Sequence, residues 1–447
     1  MNSAAAMTSS TIKLLTVLAG LLIFSAPLFM NQYKEMFELV AQVVGVAMLV
    51  VLFWTQGSLG KIGYANGLFL IVSVAFVGLY LIPAPEAMWE TLPGRGLYAD
   101  VASFISAQGV EVAYPSLSLI PENTKRALFY LIPLLALFLV TMSLPKSNVH
   151  SLVIVLFVIV IIETGLGIVQ YASGVDIFYI GNDEHGNTAS GTYRNRDHFV
   201  GLIELVLPLV IGMLVASFSP SSNRSRGSLL SGTLTLTLLV VLMILVSFFS
   251  ASRAGIGLVV LGLMISAFAF SHHVGKVKSF GFLLIASIVG VAVAFKVGVV
   301  PILNRFASDP MEDERWRIFE NTQRAITDML PWGSGPGTFP EMYRAYQPIE
   351  QHNFVNHAHN DYLEIISDMG LLGGIIIGAF VLLYLVRWFY IFRGQSQGLF
   401  KNLQIGAGIG MFLLLLHSFV DFNLHQAANA LIFVFLAGIF FRLKRAT

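Results

Sequence analysis

The chain has 447 residues, of which 56% are hydrophobic and only 11% charged; mean hydropathy is +0.77 and net charge +1. A soluble domain of this length carries about a quarter charged residues, so the composition excludes one and makes the bilayer the solvent. Cysteine is absent, which removes disulfides, thiol nucleophiles and thiolate metal sites together. No internal repeat or low-complexity stretch breaks the chain, and it reads as a single integral membrane domain over 1–447.

A hydrocarbon core of about 30 Å needs about 20 apolar residues per helix. About twelve segments meet that length: near 12–30, 36–54, 64–84, 126–143, 150–171, 198–218, 229–250, 255–271, 277–297, 370–390, 403–420 and 427–442. The first has no convincing small-residue cleavage site and is followed at once by a second span, so it reads as retained. The expected fold class is all-α, a polytopic helical bundle. Lys61, Lys146, Arg224, Arg226, Lys276, Lys278, Arg387, Arg393, Lys401, Arg442, Lys444 and Arg445 fall in alternate loops or at the C-terminus. By the positive-inside rule these loops and both termini face the cytoplasm. All 25 Asp and Glu then lie in outer loops or in the outer parts of spans, a distribution that a missing helix would scatter. The expected location is an inner membrane, crossed many times.

Two outer segments exceed simple turns, 85–125 and 298–360. Both are expected to be periplasmic loops, the second a large one containing short helices. Within it, 313–329 places Trp316, Ile318, Phe319 and Ile326 among charges, the pattern of an amphipathic helix lying on the membrane surface. A turn-rich Pro331-Trp332-Gly333-Ser334-Gly335-Pro336-Gly337 run follows.

Four groups of residues can carry chemistry. His357-Ala358-His359-Asn360-Asp361-Tyr362-Leu363-Glu364 opens the tenth span, with Asn360, Glu364 and Asp368 on one helical stripe. Carboxylates entering a membrane helix are costly unless they line a wet cavity. Gly191-Thr192-Tyr193-Arg194-Asn195-Arg196-Asp197-His198 precedes the sixth span, and its guanidinium forks suit phosphate oxygens. Ser252-Arg253-Ala254-Gly255 sets a charge in a very short turn between apolar spans, where it needs a partner or a phosphate. His417 and Asp421, four apart at the end of the eleventh span, can form a hydrogen-bonded pair. His352, His357, His359 and Asp361 could ligate a metal, but their spacing matches no helical ligand pair, and no metal is expected. No Walker loop, dinucleotide fingerprint or nucleophile elbow is present, so neither ATP-driven transport nor a nucleotide cofactor is expected, and no nucleic-acid partner.

These motifs resemble the O-antigen ligase and polysaccharide polymerase superfamily, bacterial integral-membrane glycosyltransferases of WaaL and Wzy type. The ligase signature is His, then Asn, Ser or Gln, nine residues, Gly, two residues, Gly. His359 and Asn360 are followed by nine residues from Asp361 to Met369, then Gly370 and Gly373, which meets it over a signature helix start at 361–373. The Gly191–His198 segment looks like the family's Gly-Thr-Phe-x-Asn-Arg-Asn-His, Ser252-Arg253-Ala254-Gly255 like its Ser-Arg step, and Pro331–Phe339 like its glycine-rich turn. The similarity runs from about 150 to the end; Asp197 departs from it where Asn is usual, which sets a negative charge beside Arg196.

The resemblance implies a GT-C-like bundle that transfers a glycan from an undecaprenyl diphosphate carrier to an acceptor sugar on the periplasmic face, with inversion and without metal or other cofactor. His359 would be the base, Arg253 and Arg196 the catalytic cations on the diphosphate with Arg194 in support. Asn360, Glu364, His417 and Asp421 would orient base or acceptor. The acceptor would be the lipid A core, as in lipopolysaccharide assembly, or a second lipid-linked glycan in an O-antigen or exopolysaccharide polymerase; the signature favours the ligase. The competing class is a transporter or flippase for a lipid-linked sugar, which should hold its ionisable groups near the midplane instead of at one face.

Overall fold

A computed structural model describes residues 7–29, 34–56, 63–109, 116–174, 188–218, 226–274, 310–394 and 398–443. Among the described residues the structure is helical without strands. In chain order the helices are α1 (Ser9–Phe29), α2 (Lys34–Gln56), α3 (Tyr64–Leu79), α4 (Glu86–Trp89), α5 (Gly96–Ala107), α6 (Pro121–Ser143), α7 (Lys146–Ser173), α8 (Arg196–Ser217), α9 (Arg226–Phe249) and α10 (Arg253–Val274). There follow α11 (Pro310–Met329), α12 (Phe339–Tyr343), α13 (Asp361–Arg393), α14 (Leu399–His417) and α15 (Ala427–Phe440), with a 3₁₀ turn at Asn423–His425. Nine of the described helices are long and apolar enough to cross a membrane, and α3 and α15 are shorter apolar helices. Every expected span except 277–297, which lies outside the described residues, coincides with one of these.

The bundle is built around α8, buried without a break from His198 to Gly212. α14 runs against it through Gly406 and Gly410, four apart, where an added Cβ would meet the backbone carbonyls of Pro208 and Leu205. With no hydrophobic drive between helices in lipid, such small residues let two backbones approach and gain dispersion contacts. α9 and α10 pack on the same helix, α2 and α15 pack on α6, and α1 packs on α7.

α13 joins two helical pieces across Gly370, whose φ of 54° and ψ of −132° are non-helical. The Leu371 N–H donates to the Pro331 carbonyl at 2.9 Å. The glycine-rich turn is thereby docked on the kink: Asp368 Oδ2 accepts from the Gly337 N–H at 2.7 Å, and the Asp368 carbonyl from the Gly335 N–H at 2.7 Å. The expected wet stripe is therefore divided: Asn360 caps the helix, while Asp368 is buried and holds this turn.

The segment around 85–125 has a structural role that its sequence hid. Arg95 is fully buried and donates to the carbonyls of Leu117 at 2.7 Å and Gly333 at 2.9 Å, tying this segment to the turn; burial lowers its pKa to about 10. Part of the apolar face expected over 313–329 packs on protein. Ile318, with Ala325 and Met329 of α11, is buried against Phe339, Met342, Tyr343, Val355 and Ala358 in a small second core, while Phe319 and Ile326 are half-buried. Trp316 alone stays largely exposed, at 63%.

Candidate active site at one end of the bundle

Three of the motifs are helix starts. Asn195 caps α8, its side-chain oxygen accepting from the Asp197 N–H at 2.8 Å; Ser252 precedes α10 and accepts from the Gly255 N–H at 3.1 Å. Asn360 caps α13 and accepts from the N–H groups of Tyr362 and Leu363, both at 3.0 Å. The residues expected to act therefore flank N-caps: Arg196 and Arg253 occupy the first helical positions, and His359 stands just before its cap. A helix N-terminus carries unpaired N–H groups and a partial positive charge, which favours an anion.

Side-chain contacts draw these starts together. The Asp197 carboxylate accepts from the Ser252 hydroxyl and pairs with Arg315 of α11 at 3.1 Å. The negative charge beside Arg196 thus ties the α8 start to the α10 start and to α11. Arg315 also donates to the Val420 carbonyl at 3.1 Å, and Asn360 Nδ2 to the Phe419 carbonyl at 2.8 Å. The neighbouring Asp421 is fully buried; its Oδ1 lies 3.3 Å from His359 Nδ1 and its Oδ2 3.5 Å from His198 Nε2. Burial alone would raise the Asp421 carboxyl, but His198, His359 and Arg315 outweigh it and hold it well below the usual carboxylate range.

Of the residues singled out in the sequence, His359, Arg196, Arg253, Asn360 and Asp421 stand on this linked set of helix ends. Arg194 lies beside them in the loop before α8, exposed, while Arg196 and Arg253 are half-buried. The pairing of His417 with Asp421 is replaced by another: His417 Nδ1 faces both oxygens of Glu204, at 2.9 and 3.1 Å, inside the bundle. Glu204 answers the cost of burying a histidine there, and Asp421 is left to the other two imidazoles.

Glu364 belongs to a second cluster on the far side of Phe422. Its Oε1 lies 2.8 Å from His357 Nδ1 and 3.3 Å from His425 Nε2, and its Oε2 accepts from the Ala358 N–H at 2.8 Å. His425 Nδ1 meets Asp361 Oδ1 at 2.6 Å. Burial would lower His425, yet Glu364 and Asp361 outweigh it and push its pKa up to about 10; burial prevails at His357, whose pKa falls below its ordinary value. Donor atoms of His357, Glu364 and His425 lie within 4.8 Å of one another, the spacing of a metal set. His425 would ligate a divalent cation only through a nitrogen that had given up its proton, which its raised pKa opposes.

Phe422 separates the clusters, its ring 4.2 Å from that of His357, 4.5 Å from His198 and 4.9 Å from His359. Sequence reasoning missed His198, Glu204, Arg315, Phe422 and His425. The first stood inside a quoted motif, and its only signal was being a histidine beside a membrane helix start. Backbone strain marks the same place: Ala251 and His359 are the non-glycine residues with positive φ among the described residues, at 54° and 49°. Such conformations cost about 1–3 kcal/mol and persist where surrounding contacts enforce them, often at functional sites.

No curated protein matches the chain. Residues 238–378 match the family model described as O-antigen ligase, a stretch that includes Arg253, the glycine-rich turn, His359, Asn360 and Glu364. That match supports a likeness of this stretch to the O-antigen ligase and polysaccharide polymerase superfamily, in a chain with nine described helices long and apolar enough to cross a membrane.

Proposed function

We propose that the chain transfers a glycan from an undecaprenyl diphosphate carrier to a sugar hydroxyl of a lipid-borne acceptor, the lipid A core in a ligase reaction, on the periplasmic face of the inner membrane. The observation that supports this best is the meeting of three capped helix N-termini, two of them opening on arginine and the third preceded by His359, at one end of the bundle. The N-terminal ends of α8 and α10 with Arg196 and Arg253 suit a diphosphate, Arg194 assisting from the loop. Charge grows on that group as its bond to the anomeric carbon breaks, so fixed cations there bind the transition state more tightly than the ground state.

His359 takes the proton of the acceptor hydroxyl. With Nδ1–H directed to Asp421, its Nε2 lone pair is the one left to accept. The acceptor oxygen forms the new bond to the anomeric carbon as the carrier diphosphate leaves with the electron pair of the old one. A single in-line displacement inverts that carbon and needs no metal. Asn360 holds the segment by its cap, and Glu364 and His417 keep the neighbouring elements in register.

The test is transfer by the purified protein, supplied with a carrier-linked glycan and core lipid. His359→Ala and Arg253→Ala should each abolish transfer while membrane insertion is retained; near-normal transfer by both discards the mechanism. Incubation with the carrier-linked glycan alone separates the acceptors, since dimers formed without core lipid mark a polymerase.

A further inference from the structure

We infer that His198 is a positioning residue for the same transfer, acting through Asp421 to fix the orientation and basicity of His359. This rests on the proposed role of His359 as base. His198 is 1% exposed and stands two residues into α8. Gln426 Nε2 can only donate, and it lies 2.9 Å from His198 Nδ1, so Nδ1 is the accepting nitrogen and Nε2 carries the N–H. That nitrogen faces Asp421 Oδ2 at 3.5 Å, while Oδ1 serves His359 at 3.3 Å and the Phe422 N–H at 2.9 Å. One buried carboxylate thus faces two imidazoles, with His359 within hydrogen-bond distance of Oδ1 and His198 in a longer, 3.5 Å contact with Oδ2.

The sharing has a consequence for His359. A carboxylate that gives part of its charge to His198 holds an imidazolium at His359 less strongly, which leaves that ring readier to return its proton. The Phe422 ring between the imidazoles keeps them from meeting directly. Other charged groups facing this carboxylate are Asp197 of α8, Arg315 of α11 and His417 of α14, with Glu204 beyond His417. These stay in place when His198 alone is changed, so a shift in behaviour belongs to the His198 contact.

Three substitutions separate positioning from packing. His198→Phe keeps a ring against Phe422 and removes the donor; His198→Gln carries an amide N–H near the position of Nε2; His198→Asn carries one only near Nδ1. The phenylalanine variant, in which nothing polar on α8 holds the Asp421 carboxylate that orients His359, should lose kcat by about 10-fold through misalignment of the base, with KM unchanged. The acidic limb of its kcat/KM profile should move to higher pH, because Asp421 then holds the His359 proton more firmly. The glutamine variant should recover the profile and most of the rate. Should the phenylalanine variant fail to fold, the asparagine and glutamine pair carries the same comparison. An unmoved profile in the donor-deficient variant, or equal damage in the glutamine variant, overturns the inference. A fully active His359→Ala removes the base itself; an inactive one with unaffected His198 variants removes only the positioning role.

Discussion

Asp421 shows how much the site depends on single carboxylates. Asp421→Asn keeps the shape of the side chain but replaces one acceptor oxygen with a donor and removes the charge that faces His359 and His198. The expected result is a fall in kcat of about 10²- to 10⁴-fold, the range for loss of an oriented acid–base group, with normal insertion; turnover by the purified variant measures it. A rate close to that of the unaltered protein would make Asp421 a packing residue. His425 allows a prediction on stability. Its folded pKa of about 10 exceeds its ordinary 6.5, so its stabilising effect is complete below about pH 6.5, weakens as pH rises above that, and is lost once pH passes about 10. Thermal unfolding of the detergent-solubilised protein should show Tm falling across that window, and His425→Gln should flatten the fall. A slope unchanged by the substitution would place the charge elsewhere. His425 belongs to no motif, and its partners Asp361 and Glu364 lie more than 60 residues earlier in the chain. That distance explains why the pair was invisible before the fold was known.

At the level of helices, much of the site was legible because its signatures are the physics of helix starts. Asn195, Ser252 and Asn360 are cap residues, and a cap followed by an apolar run can be read from composition alone. What local pattern could not supply was the partner. α11 was recognisable as amphipathic, but a stripe of Trp316, Ile318, Phe319 and Ile326 fits a lipid surface and a protein core equally well; only the fold shows that Ile318 packs in a core with Phe339 and Tyr343. The Gly-x-x-Gly of the signature is also a statement about backbone. At Gly370 an added Cβ would run into the Pro331 carbonyl and face a positive φ, whereas at Gly374, four residues on in regular helix, it would meet nothing within 4 Å. Gly370→Ala should therefore lose at least about 1–2 kcal/mol from the backbone conformation alone, and more from the clash. Gly374→Ala should be neutral or stabilising by up to about 1 kcal/mol. Tm measurements on the two variants decide it, and equal values for both would contradict the kink.

For the molecule as a whole, the decisive question is which end of the bundle faces out, since a carrier-linked glycan can be used only on the side where it is displayed. The expected spans and the described helices agree closely because length and hydropathy suffice for that; orientation rests on charge alone. Glu204 with His417 is the deepest described imidazole–carboxylate pair, eight residues into α8, or about 12 Å along it, and still within its first half. The described imidazole–carboxylate clusters thus lie toward the end that holds His359, as expected of a transferase at one surface and not of a midplane transporter. The absence of cysteine makes the topology directly testable, because the unaltered chain is its own thiol-free background. Glu320, 65% exposed on α11, lies at the site end, and Ser147, exposed at the start of α7, at the other. In spheroplasts, a membrane-impermeant maleimide should label Glu320→Cys and leave Ser147→Cys untouched until the membrane is lysed. The reverse pattern would put His359 and its arginines in the cytoplasm, away from the displayed glycan, and the proposed transfer could not take place there.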